Sequence, residues 1–299
     1  MTFIDTHHHL YDLDGEPDGY PALRGPLRAT AFGDDAALRK NYGIEAYCAD
    51  LTAMRGCRSV HIEAGRQPGD PVQESAWLAS LAERTGLPSA IIANVDLGRP
   101  DAERMLARHA AFGRVRGIRQ MATTSGGLVN LQPEDTQFLN PAWLANLPLL
   151  ERHAWCLELQ APPGVALAAA GVARRHPEIT FVLTHCGHPI DRTGAGMARW
   201  HAGLDAFAAC ANVVVKLSGF FMMNPSQTGD GVRAIVDAVL ERFGAARSMF
   251  GSNFPVDRLF VGAADWRRMI DSAISERSQA ERERLLAGTA RAVYRIEAA

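Results

Sequence analysis

Lysine is nearly missing from this chain of 299 residues. Lys40 and Lys216 are its two lysines, and every other one of the 31 cations is arginine. Paired cysteines are missing as well. Cys48, Cys57, Cys156, Cys186 and Cys210 are scattered and odd in number, with no C-x-x-C. That pattern argues against a disulfide framework or a structural zinc site and fits reduced thiols. The longest apolar run, Gly164 to Ala173, is far too short to span a bilayer. Charge of one sign is not in excess: 31 basic against 33 acidic residues leave a net charge of -2, so neither nucleic acid nor an anionic membrane is an expected partner. The opening Met1-Thr2-Phe3-Ile4-Asp5 has no basic segment followed by an apolar one, so no secretory signal is expected and a cytoplasmic location is.

What is present is an ordinary globular balance, 47% hydrophobic and 21% charged. Length alone suggests two domains of about 150 residues, yet barrels routinely exceed 250 residues as one domain. No linker, repeat or low-complexity segment divides the chain, so residues 1–299 are expected to form a single domain. Eight short apolar or β-branched runs recur: 2–7, 59–63, 89–95, 115–119, 154–159, 179–185, 212–217 and 248–252. Most lack polar alternation, as parallel strands covered on both faces do. Helical patterns lie between them, the clearest being the stripe Val232, Ile235, Val236, Val239, Leu240 and Phe243. Ser278 with Glu281 reads as a capping box opening a last helix. Eight strands alternating with helices predict an α/β fold, a single (β/α)8 TIM-like barrel, with a doubly wound sheet as the alternative.

Loop lengths give that barrel a polarity. Helix-to-strand links are short, as at Gly113-Arg114, while strand-to-helix links are long, as at 10–45, 121–140, 187–198 and 219–229. A catalytic barrel builds its site from the second kind. The segment 10–45, with Tyr11, Tyr20, Arg24 and Arg28, is expected to fold over the mouth and select substrate.

The strand ends carry the chemistry. In Asp5-Thr6-His7-His8-His9 successive side chains alternate, so His7 and His9 share a face about 6.6 Å apart, with His8 opposite. Two imidazoles so spaced suit one metal ion or one substrate oxygen. His185 ends the sixth strand and completes a three-histidine set, whereas His188 beyond Gly187 reads as a loop residue and Cys186 as core. Lys216, set in an apolar strand of a chain that otherwise uses arginine, suggests a task for a compact ammonium. The fork of Arg119 suits a carboxylate or hydroxyl pair. Glu158, Gln160 and Ser218, with His61 and Glu63, are further polar groups at strand ends.

Asp5-Thr6-His7-x-His9, Thr184-His185-Cys186-Gly187, Lys216-Leu217-Ser218-Gly219 and Gly251-Ser252-Asn253-Phe254-Pro255 together resemble the amidohydrolase-related group of the amidohydrolase superfamily, in particular its lactonases for sugar acids and pyrone dicarboxylates. The resemblance covers nearly the whole chain. It implies a somewhat distorted barrel with a C-terminal helix, whose site is ringed by His7, His9, His185 and Asn253. It also implies one divalent ion, zinc or manganese, on His7, His9 and His185, dispensable in some members. Arg119 and Glu158/Gln160 stand where binuclear members carry a bridging lysine and a metal-binding histidine, which argues against two metals. Asn253 stands where the family usually has an aspartate that takes a proton from water, which an amide cannot do. His185, Glu158 or Asp257 would then have to accept it.

The leading expectation is a hydrolase that opens a lactone or similar ester of a small polar hydroxy acid. Arg119, Glu158, Gln160 and Ser218 would bind the substrate, and His185, Asn253 and Lys216 would act in catalysis. The alternatives are a metal-dependent decarboxylase on the same scaffold and a binding protein that lost turnover through Asn253. A small-molecule substrate is the expected partner, and assembly into a homo-oligomer is left open.

Overall fold

All eight apolar runs form strands of one parallel sheet: β1 (Phe3–His8), β2 (Gly56–Ile62), β3 (Ala90–Asn94), β4 (Val115–Gln120), β5 (Cys156–Leu159), β6 (Phe181–Leu183), β7 (Val213–Leu217) and β8 (Ser248–Phe250). The computed structural model describes residues 2–15, 19–25, 29–30, 33–66, 70–120 and 131–297. Each strand pairs with the next in chain order, as in a TIM-type barrel. The last seam carries no regular ladder. Thr6 Oγ1 donates to the Phe250 carbonyl at 2.8 Å, His9 N to Phe254 O at 2.9 Å and Asn253 N to His7 O at 2.7 Å. The barrel is therefore nearly closed, and what closes it is the turn that carries Asn253.

Two cores follow from the strand period. Residues facing the helices join one large apolar cluster with the helical stripes, including Val232, Ile235, Val236 and Val239 of the helix Gly229–Phe243. Ile4, Val60, Ile62, Ala90, Ile92, Cys156, Val182, Val214 and Met249 fill the lower barrel interior together with Ala287, Ala290 and Tyr294 of the C-terminal helical segment. The capping box at Ser278 and Glu281 opens that segment as the sequence predicts.

β1 departs from simple alternation. Asp5 pairs with Ser59 and His8 with His61, so three steps on β1 match two on β2. One extra residue is a bulge, and it reverses which face later side chains take. Ile4 packs inside the barrel, and after the bulge His7 and His9 lie on one side while His8 stacks on Tyr47 at 3.8 Å.

The segment after β1 leaves from the mouth and returns into the helix Ile44–Ala53. Tyr11 bridges to Tyr42, and its hydroxyl donates to the Leu38 carbonyl at 3.0 Å. Tyr11 and Tyr20 are buried in the apolar core, so they shape this segment and offer no face to a substrate, contrary to expectation. Arg24 is exposed, and Arg28 lies outside the described residues, as do residues 121–130 of the loop after β4.

Candidate active site

Three histidines meet above the interior core. The His7 ring lies 5.1 Å from that of His9 and 4.5 Å from that of His185, centroid to centroid. His9 Nδ1 donates to the Ile62 carbonyl at 2.9 Å, which fixes the tautomer and leaves Nε2 as a lone-pair site. His185 Nδ1 lies 3.0 Å from Ser218 Oγ; with that nitrogen protonated, Nε2 is again a lone pair. Both nitrogens of His7 are buried without a hydrogen-bond partner among the described residues.

His185 owes its position to an unusual turn. Residues 185, 186, 187 and 188 all have positive φ, at 50°, 54°, 70° and 59°. Left-handed backbone costs non-glycine residues roughly 1–2 kcal/mol each, so tertiary contacts must hold the turn. Trp200 Nε1 donates to the Cys186 carbonyl at 2.7 Å, and Ser218 holds the His185 ring. Gly219 is required here: a Cβ on it would fall 2.6 Å from His185 Nδ1, and its φ is +68°. Gly251 clears His7 in the same way, since a Cβ there would lie 2.6 Å from His7 Cβ.

Burial pushes the pKa of His7, His9 and His185 well below 6.5, and neighbouring charges add to the effect. Arg119 is among those charges for all three. Its Nε donates to Glu63 Oε1 at 2.7 Å and its NH2 to the Glu63 carbonyl at 2.8 Å. Asn94 Nδ2 and the Gly65 amide hold the other Glu63 oxygen at 3.2 and 2.9 Å. Glu63 and Asn94 thus aim the guanidinium. Among the described residues Gln160 leaves its Oε1 buried and unpartnered.

Asn253 has a left-handed φ of 59° at the seam. Its Nδ2 donates to Asp257 Oδ1 at 3.0 Å, and Asp257 also accepts from the Met222 and Phe221 amides at 2.9 and 3.2 Å. Burial raises the Asp257 pKa to about 7 against those stabilising bonds. With its amino end so held, the Asn253 side chain has only Oδ1 left to accept from a water.

Several expectations need correction. Lys216 and Glu158 are spent on each other, although the Lys216 charge also helps to lower His7 and His185. Lys216 Nζ donates to Glu158 Oε1 and Oε2 at 2.6 and 2.8 Å, and the Tyr294 hydroxyl donates to Oε1 at 2.8 Å from the C-terminal helix. Both charges have zero exposed surface. The unusual lysine therefore marks an ion pair buried in the barrel interior, which removes Glu158 as a proton acceptor. Ser218, expected to touch substrate, has its hydroxyl on His185. His188, read as a loop residue, is fully buried 5.3 Å from the His185 ring and has a pKa lowered to about 3 by burial. Next to it opens a cleft of about 460 Å³, which His188 lines together with Pro162, Leu167 and Ile190. Cys186 is core, its thiol pushed up to about 12 by burial.

Asp5 is a site residue that the sequence does not single out. Its carboxylate accepts from the amides of His7 and Ser252 and the hydroxyls of Ser252 and Tyr47, at 2.7 to 3.2 Å, and so ties the bulge to the Asn253 turn. Its place two residues before His7 was the available signal.

The amidohydrolase sequence profile matches residues 4–296. The chain belongs to the amidohydrolase family. Among its amidohydrolase relatives, an L-fucono-1,5-lactonase of Burkholderia multivorans is 31% identical, covering 98% of this chain and 96% of that protein. Another of the same name from Burkholderia ambifaria is 30% identical over 87% of this chain and 82% of its own length. A crystal structure of a Burkholderia multivorans amidohydrolase with bound zinc superposes with a TM-score of 0.82 at 24% identity, covering 99% of this chain and all of that one.

Whether this amidohydrolase is arranged for such an ion can be tested on its side chains. The neutral imidazoles and the orphan nitrogens of His7 have the right chemistry. Among the described residues, however, no three His, Cys, Asp or Glu side chains are placed to hold a metal ion. The ligand set His7, His9 and His185 expected for zinc or manganese is gathered but not assembled.

The same burial gives stability a pH dependence. Seven buried histidines (7, 8, 9, 61, 109, 185 and 188) have lowered pKa values, while Asp5, Glu74 and Asp257 are raised, burial being the main cause in each. A lowered histidine binds more protons unfolded, so it costs stability as pH falls below about 6.5. A raised carboxyl costs stability as pH rises towards its folded value, about 7 for Asp257 and about 8 for Glu74. Seven outweigh three in acid. The melting temperature should therefore fall as pH drops from ~6.5 towards ~4; a scan that rises on acidification over that range would contradict the assignment.

Proposed function

We propose that this amidohydrolase hydrolyses a lactone of a small sugar acid. The observation that carries the reading is the gathering of His7, His9 and His185 within reach of the charge of Arg119, a strand-end guanidinium that Glu63 holds in place. Its two lactonase relatives support the same bond class and make L-fucono-1,5-lactone the first compound to try.

In this scheme Arg119 donates to the lactone carbonyl and stabilises the oxyanion that forms when water attacks. His185 Nε2 takes the proton from that water, since Ser218 holds the opposite ring nitrogen, and returns it to the ring oxygen as the acyl C–O bond breaks, which releases the open hydroxy acid. Asn253 Oδ1 accepts the second hydrogen of the water and orients it. Asp257 does no proton transfer. It fixes the Asn253 amide so that the oxygen, not the nitrogen, meets the water. No step needs a metal ion, whereas the decarboxylase alternative needs one tightly held.

The direct test is a pH-stat screen of sugar-acid lactones, with chelator-treated enzyme and with added zinc or manganese. Turnover by the chelated enzyme is the expected result. A gain above tenfold on adding either ion would mean that the histidines rearrange around it, and no turnover of any lactone under any condition would sink the proposal.

The role of Asp257 makes a separate prediction. Its ionised form holds Asn253 best, so kcat/KM should fall as pH drops through about 7. Asp257→Asn should remove that limb and lower kcat by about 10²-fold, the usual cost of misplacing a reacting group. Asn253→Asp would set two carboxyls about 3.0 Å apart, which cannot both ionise, so the pH limb should move up with no gain at neutrality. A large gain in rate would instead identify a lapsed enzyme.

A further inference from the structure

We propose that the end of the barrel opposite the mouth is a binding site for a small polyvalent oxyanion, of the phosphate, diphosphate or tricarboxylate kind. Arg58 of β2, Arg114 just before β4, Arg116 within β4 and Arg295 after the last helix line one cleft of about 370 Å³, with Gly86 and Ser89. Three sequence-distant regions bring these cations together at the N-terminal strand ends, on the opposite face from His7, His9 and His185.

Each guanidinium is tethered to backbone carbonyls. Arg58 NH1 donates to Cys57 at 3.2 Å, Arg114 NH1 to Pro88 at 3.2 Å, Arg116 Nε to Tyr294 at 3.0 Å and its NH1 to Val115 at 3.1 Å, and Arg295 donates to Ala154. Among the described residues none of the four meets a carboxylate, although arginines elsewhere do, as in Arg199–Asp191 and Arg242–Asp205. Glu297 lines the cleft, is exposed and makes no ion pair among the described residues.

Burial, and after it the charges of Arg295 and Arg114, hold the Arg116 pKa below its ordinary range. A guanidinium has five N–H donors in a planar fork that matches phosphate and carboxylate oxygens, and the tethers leave donors over on each. An anion entering this cleft relieves the repulsion and gains charge-assisted hydrogen bonds together. The site is confined to one cleft of a chain whose net charge is -2, which suits a small ligand better than a nucleic-acid backbone needing an extended cationic track.

The experiment titrates the full-length protein with pyrophosphate, inorganic phosphate and citrate at constant ionic strength, sodium chloride being the control. Binding is read by calorimetry and melting temperature, and a parallel arm sediments the protein with vesicles rich in anionic lipid. Saturable binding of at least one polyvalent anion is expected, weakened at least tenfold in Arg58→Gln, abolished in Arg116→Gln/Arg295→Gln and unchanged in the exposed control Arg268→Gln. Should the double variant fail to fold, Arg58→Gln decides, because among the described residues its guanidinium bonds only to the carbonyl of the preceding residue. Stabilisation no greater than that of chloride, or equal affinity in wild type and Arg58→Gln, overturns the proposal. Vesicle binding without free-anion binding overturns it too, and assigns the patch to a membrane surface.

Discussion

Arg119→Met lowers kcat/KM for a responsive lactone by about 10²–10³-fold, the usual loss when one preorganised oxyanion donor is removed. The physical ground is that the guanidinium acts on His7, His9, His185 and His188 together and is aimed by two bonds to Glu63. The loss should fall on kcat more than on KM, because charge on the carbonyl oxygen develops only in the transition state. Arg119→Lys keeps the charge without the fork that Glu63 grips, so it should recover only part of the rate. Glu63 becomes an unpaired buried carboxylate in the methionine variant, so both proteins are compared below their melting transitions. A methionine variant with wild-type kcat would place oxyanion stabilisation elsewhere.

Lys216→Met is expected to act on stability. Removing one partner of a fully buried ion pair costs about 3–5 kcal/mol, since Glu158 is left in the barrel interior with, among the described residues, only the Tyr294 hydroxyl to satisfy it. Replacing both partners, as in Lys216→Met/Glu158→Met, should restore most of that loss, because an apolar pair of similar volume carries no uncompensated charge. Urea unfolding checks both variants. Activity of the single variant at a permissive temperature separates the two roles: a catalytic lysine predicts a collapse in rate at unchanged stability, the reverse of what its burial implies.

Lys216 also shows how composition can mislead. Its rarity, in an apolar strand, suggests a task for a compact ammonium, and the structure gives that ammonium a buried carboxylate partner. The register does not say how far up the lumen an inward side chain lies. Tyr294, 78 positions later, descends from the C-terminal helix to meet Glu158, and that long-range contact sets the layer.

The eight-strand alternation and the long loops at the strand ends are local matters of period and turn chemistry, and they could be read from the residues alone. So could the shared face of His7 and His9, since alternation fixes it. The left-handed turn that brings His185 to His7 could not be read, because four successive left-handed residues are not a local preference of His-Cys-Gly-His and are held by Trp200, Ser218 and the bare face of Gly219. Nor could the partnership of Asn253 with Asp257, or the grip of Glu63 on Arg119. Hydrogen bonds between segments distant in sequence depend on where folding leaves the two ends, and no local propensity encodes that.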